Sequence, residues 1–274
     1  MQNFFLKDFF GATTAVLVFP IFLVFPGYLI GWSTNLWHFR EERFIGRLCI
    51  SLPLSVAFSG VAATLVGRTF GFSWSLRLFE LLAVLFLALI AWEYKNPSLR
   101  QRLVLGRSSR VLLTLCIGWM LLAFATVLDF QVGDRLYLSV TAYDHCIRAL
   151  FARSIVHTGI PPVNPLYYPG EVVALRYYYF WNAVCALPAL LTGVDARLTM
   201  YASTVWCGLG LMAVIALYLK HFCGVTEGLR RKALVGVGLL AVTGLDLIPT
   251  FIKAATPPHI FEPDMEWWSP DIVT

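Results

Sequence analysis

The sequence predicts an all-α polytopic membrane protein with about six transmembrane helices, plus juxtamembrane or interfacial helices in a large external loop. Three observations predict it. Of 274 residues, 58% are hydrophobic and only 14% charged, where a soluble domain carries roughly a quarter charged residues. Mean hydropathy is +0.72. Apolar runs recur along the chain at about 9–31, 48–66, 76–92, 111–128, 177–194, 198–219 and 233–252, each near the roughly 20 residues that cross the hydrocarbon core.

The formal charge of +5 has to be read loop by loop, and it includes no basic arm of the kind that binds nucleic acid. Of the six cysteines, Cys49, Cys116 and Cys207 lie inside apolar runs and none forms a C-x-x-C pair. They read as small packing residues rather than disulfide or metal ligands.

The first run begins after Lys7 and Asp8, whose charges cancel. It is too long for a signal-peptide core and no small-residue cleavage site follows, so it reads as a retained span. The second and third runs follow, and residues 1–110 form an N-terminal three-helix membrane region. The segment EYKNPSLRQRLVLGRSSR (93–110) holds Lys95, Arg100, Arg102, Arg107 and Arg110 against only Glu93. An excess of Lys and Arg marks a cytoplasmic loop. Loop 33–47, with Arg40, Arg43 and Arg47, is then also inside, and 67–75 is outside.

The fourth run, 111–128, returns the chain to the outside. Segment 177–194, YYYFWNAVCALPALLTGV, is the irregular one. It is short, opens on Tyr177, Tyr178, Tyr179 and Trp181, and contains Asn182 and Pro188. Clustered Tyr and Trp favour the headgroup level, and an internal proline disfavours a plain span. If it crossed, the basic segment KHFCGVTEGLRRK (220–232) would face out and the acidic 253–274 would face in. An interfacial or re-entrant helix removes both violations and leaves six crossings with both termini outside. A seven-span arrangement is the alternative.

Residues 129–197 then form one external loop. Within it, YDHCIRALFARSIVHTGIPPVNP (143–165) has helical periodicity over 142–157: Tyr143, Ile147, Leu150 and Phe151 make an apolar stripe, and Asp144, His145 and Arg148 project elsewhere. That pattern fits an amphipathic helix at a bilayer surface. Pro161, Pro162, Pro165 and Pro169 follow and stiffen the chain into an extended path suited to a pocket wall. Asp144 has two readings. It is a candidate base, and Thr141-x-x-Asp144 also has the form of a capping box, with Arg148 as an i,i+4 partner.

The stretches FPGYLIG (25–31), YDHCIRALFARSIVHTGIPPVNP and RYYYFWNAVCALPALLTGVDARLT (176–199) together resemble GT-C-type glycosyltransferases. These are integral membrane enzymes that use polyprenyl-phosphate sugars. The resemblance covers about 111–274, and it implies that this region is the start of such a module, incomplete at its C-terminus. It implies that an acid on a juxtamembrane helix of the first external loop is the catalytic base, and Asp144 is the matching position. The family pattern has a second acid near it, where this chain has His145. It also implies a bacterial cytoplasmic membrane, a polyprenyl-phosphate sugar donor and membrane lipid as partners, and a cell-envelope acceptor.

The chemistry explains the residue types. A carboxylate within hydrogen-bond reach takes the proton of an attacking hydroxyl or amine. Arg, Lys or a divalent cation stabilises the departing phosphate. Arg148 and Arg176 are candidate donor-phosphate ligands, with Arg153 also available, and His145 and Tyr177 are candidate substrate contacts. Binding of anionic lipid headgroups is the plainer role for such arginines, and solvation the plainer state for such a histidine. No metal ligand set stands out, and no further cofactor is expected. Asp246, in AVTGLDLIPTF, is an acid inside an apolar run and a candidate second acid, with pairing to Lys253 as the alternative. Trp267 and Trp268 in the acidic tail could stack on sugar or anchor the interface.

Two readings compete with the transferase. A transporter or flippase of lipid-linked sugars would call for repeated halves with broken, charged helices at the midplane, and no internal repeat is visible. A non-catalytic assembly subunit is the other. No dinucleotide, P-loop, zincin or G-x-S-x-G fingerprint is present.

Overall fold

The computed structural model describes residues 4–103, 107–132, 135–137, 142–166, 171–225 and 227–241. The chain divides into two units, Met1–Val214 and Ile215–Thr274. It is predominantly helical, and four helical courses are long and apolar enough to cross a membrane: Leu6–Thr34, Phe44–Phe70, Phe72–Lys95 and Ala196–His221.

The N-terminal course is three successive helices, α1 (Phe4–Val18), α2 (Pro20–Leu23) and α3 (Phe25–Thr34). Its breaks have a sequence cause. Pro20 and Pro26 each sit in the first turn of the following helix, where the missing N–H costs nothing. Helix α4 (Phe44–Phe70) and α5 (Phe72–Lys95) form an antiparallel hairpin through one residue, Gly71, whose φ of 98° suits glycine.

Small residues let α3 and α4 approach closely. Ser51, Ser55 and Ser59 recur every fourth residue of α4 and are fully buried. The Gly27 amide donates to Ser55 Oγ at 2.7 Å, and Ser59 Oγ donates to the Phe22 carbonyl at 2.5 Å. A Cβ at Gly27 would collide with the Ser51 carbonyl. Without a hydrophobic drive between helices in lipid, close packing and such interhelical bonds hold a bundle together. Ring pairs seal α5 onto the N-terminal course: Phe22 with Phe79 at 5.3 Å and Phe25 stacked on Phe86 at 4.0 Å.

Next come α6 (Pro97–Leu103) and α7 (Arg107–Val127), then a short antiparallel ladder of β1 (Phe130–Val132) and β2 (Arg135–Tyr137) that pairs Phe130 with Tyr137. Helix α8 (Ala142–Thr158) lies where the periodicity placed it, but its face differs in part. The buried residues are Ala149, Phe151, Ala152 and Ile155, while Leu150 is exposed. Phe151 of the expected stripe is buried as expected, and Leu150 is the member that departs from it. The small Ala149 and Ala152 side chains line the face that packs onto the next helix, so close approach outweighs the larger apolar side chain.

The proline-rich segment is pinned on two sides. Val163 bridges Ala174, the Asn164 amide donates to the Val173 carbonyl at 2.8 Å, and Ser154 Oγ donates to the Val163 carbonyl. Helix α9 (Phe180–Thr192) has 13 residues, about 20 Å at 1.5 Å per residue, well short of a hydrocarbon core of about 30 Å. Asn182 through Ala189 are all buried. A helix apolar on every side is an enclosed one, so α9 does not lie on a bilayer surface as an interfacial helix would. It packs against α8, α4, α1 and α5. Its aromatic lead-in, Tyr177, Tyr178 and Phe180, and its last residue, Thr192, are exposed. Gly193, left-handed at φ 72°, ends it.

Helix α10 (Ala196–His221) follows. The second unit is described over the last residues of α10 and helix α11 (Leu229–Ala241), which carries Arg230, Arg231 and Lys232 in its first turn. Asp246, Trp267, Trp268 and the acidic tail lie outside the described residues.

Candidate functional site

The polar centre of the first unit is built on Arg197. In LTGVDARLT, Gly193 closes α9 and Asp195 caps α10: its carboxylate accepts from the Arg197 amide at 2.8 Å and its carbonyl from the Leu198 amide at 2.9 Å. This cap sets Arg197 in the first turn of α10. From there the guanidinium reaches two carboxylates from distant sequence. Nη2 pairs with Asp8 on α1, and Nη1 with Asp129, which follows α7, at 3.1 Å. Asp8 is 8% exposed, Asp129 14% and Arg197 27%. The helix N-terminus adds a favourable field for both acids.

An aromatic pair continues the cluster. The Arg197 guanidinium lies 5.7 Å from the ring of Tyr201, one turn along α10, and Tyr201 is buried. The His145 ring of α8 lies 5.5 Å from the Tyr201 ring. Four helical segments thus bring Asp8, Asp129, Arg197, Tyr201 and His145 to one end of the first unit. Two carboxylates against one guanidinium leave the ionised trio one net negative charge, and each carboxylate has lone pairs beyond those Arg197 takes.

The sequence-predicted residues divide. His145 lies on the packed side of α8, against Tyr201, not projecting away from the apolar stripe as expected. Arg148 and Arg176 are exposed and carry no ion pair among the described residues. Tyr177 sits 5.3 Å from Phe151 and stacks on Tyr178 at 4.1 Å. Asp144 precedes His145 on α8, but its side chain lies outside the described residues. Among the described residues there is no group of three or more His, Cys, Asp and Glu arranged to hold a metal.

Arg197 and the roles of Asp8 and Asp129 were not read from the sequence. The signal was there: the predicted topology puts 8, 129 and 197 at the same membrane face, and an Asp at the edge of an apolar run needs a partner.

A second polar cluster lies at the other end of the α4–α5 hairpin from Gly71. Arg47 and Glu93 are fully buried and pair at 2.9 Å. The Tyr28 hydroxyl joins them, accepting from Arg47 Nη1 at 2.9 Å and donating to Glu93 Oε2 at 3.1 Å. Arg47 also donates to the carbonyls of Phe39, Glu42 and Arg40. Every guanidinium nitrogen is thereby engaged, and the turn at Leu36–Glu41, with left-handed Trp37 and His38, is held in place. Arg47 and Glu93 are thus not the loop charges they were counted as. Exposed Arg40, Arg43, Lys95 and Arg100 keep that end basic.

No known family model, curated protein or solved structure matches the chain.

Proposed function

We propose that the chain is a membrane glycosyltransferase that moves a sugar from a polyprenyl-phosphate carrier to a cell-envelope acceptor at the external face of a bacterial cytoplasmic membrane. In this reading six segments cross: the N-terminal course, α4, α5, α7, α10 and the segment that begins with α11. Helix α9 is re-entrant, tolerated at membrane depth because protein encloses it. Loop 129–197 carries the chemistry.

One observation carries the reading. Helix α8 brings His145 to the end of the first unit where Asp8, Asp129 and Arg197 meet, and Asp144 is its neighbour in sequence. That is the predicted external end, and a transfer centre there needs carboxylates and cations on rigid elements. In the reaction the acceptor oxygen bonds to the anomeric carbon as the bond from that carbon to phosphate oxygen breaks. Asp144 takes the acceptor proton, and polyprenyl phosphate leaves. Arg148 and Arg176, both exposed, meet the departing phosphate. On the sequence reading Tyr177 and Trp267 are the candidate sugar contacts and Asp246 the candidate second acid, the last two outside the described residues, and a divalent cation is compatible with the acids present.

The test is transfer from a labelled polyprenyl-phosphate sugar in proteoliposomes holding the full chain. Asp144→Asn is expected to lower transfer by about 100-fold or more, the usual worth of a general base. Arg43→Gln, exposed at the opposite end of the first unit, is expected to leave it within about twofold. Full activity in Asp144→Asn, with the protein folded and inserted, would remove Asp144 from the chemistry.

A further inference from the structure

We propose that the end of the bundle opposite Arg197 carries a binding site for an anionic glycerophospholipid, with one acyl chain in a groove between α3 and α5 and the phosphate at Arg40. The groove has a volume of about 430 Å³ and is lined by Pro26, Leu29 and Ile30 of α3, Phe58 of α4, and Leu82, Leu85 and Leu89 of α5, among others. This falls within the roughly 300–1,000 Å³ range of small-ligand pockets. Its one polar lining side chain outside Trp32, Ser33, already donates to the Ile30 carbonyl at 3.0 Å. Nothing in the groove rewards a polar ligand, and a hydrocarbon chain loses nothing by entering.

Charge at the mouth decides which lipid. The exposed Arg40 guanidinium lies 5.5 Å from the centroid of Trp32, a lining residue. Its Nε donates to the Trp32 carbonyl at 2.8 Å and its Nη2 to the Ser33 carbonyl at 3.3 Å, which fixes its place over the groove. Its Nη1 bonds none of the described residues, so it can still meet a phosphate oxygen. Arg102 donates to the Arg40 carbonyl at 2.8 Å, and Arg100 lies over Tyr94 at 4.7 Å. The nearby Glu41 lies 3.9 Å from His38 Nδ1, and both are exposed to solvent. Trp32 packs edge-on against Trp92 at 6.0 Å, and paired tryptophans mark the headgroup level. The mouth therefore lies where phosphates lie, and the groove runs inward from it along the hydrocarbon.

The experiment is native mass spectrometry of the full chain in detergent, titrated with dioleoyl phosphatidylglycerol or dioleoyl phosphatidylcholine. Wild type is expected to bind the glycerol lipid about fivefold or more tightly, the worth of one basic side chain near an anionic surface. Arg40→Gln is expected to abolish that preference and Arg40→Lys to keep most of it. Leu85→Trp, which fills the groove without touching the charge, is expected to lose adducts of both lipids. Equal affinity in wild type, an undiminished preference in Arg40→Gln, or unchanged adducts in Leu85→Trp would overturn the proposal. A dimer that Leu85→Trp dissociates would overturn it too, by giving the groove to a second copy.

Discussion

At the residue scale, the two arginine clusters differ in what their removal should do. Arg47 and Glu93 share a dry site, so removing one leaves an uncompensated charge. Arg47→Met is expected to cost about 3–5 kcal/mol, whereas Arg47→Met with Glu93→Leu is expected to recover most of that loss. Thermal unfolding in detergent of the two singles and the double checks this. A double no more stable than the singles would mean that the carbonyl bonds to Phe39, Arg40 and Glu42, not the ion pair, hold the site. Arg197 is partly exposed, and solvent screening makes its pairs with Asp8 and Asp129 weaker contributors to stability. It holds Asp8 and Asp129 together at one end of the first unit.

At the element scale, the packing of α3 on α4 depends on the absence of a side chain at Gly27. Gly27→Val is expected to destabilise by about 1–3 kcal/mol or more, as overpacking does, and to lower the unfolding midpoint. A neutral effect would mean that α3 can slide along the serine ladder. The four long apolar helices were legible in the sequence because apolar length is a strong signal. The runs at 48–66 and 76–92 are the cores of α4 and α5, which extend beyond them. They extend because Arg47, Arg68, Glu93 and Lys95 are accommodated at helix ends. The ladder at 130–137 was missed, since three-residue strands leave no period to read. Leu150 and His145 depart from the expected face of α8 for a different reason. Hydropathy favours Leu150, but helix contact favours the smaller Ala149 and Ala152, and that choice turns His145 inward. The meeting of Asp8, Asp129 and Arg197 spans 189 residues of sequence, and single-residue chemistry does not forecast a contact of that range.

At the scale of the whole molecule, topology decides whether the polar centre can serve an external reaction. Single cysteines at Ser98, Leu166 and Glu227, in a background lacking the native six, address it directly. All three sites are exposed. An impermeant thiol reagent applied to intact cells is expected to label position 166 alone. Labelling at 227 as well would make α9 a crossing, against its length and enclosure, and would put the basic segment 220–232 outside.

The Arg47–Glu93 pair also bears on how the protein is made. Its partners are 46 residues apart in sequence, so at about 5–20 residues per second the ribosome needs roughly 2–9 s to supply the acid after the base. Through that interval Arg47, in the first turn of α4 and 5.2 Å from the Trp32 ring, is a charge without its counterion. The one-residue joint at Gly71 keeps α5 beside α4 as it emerges, and the pair closes only when Glu93 arrives.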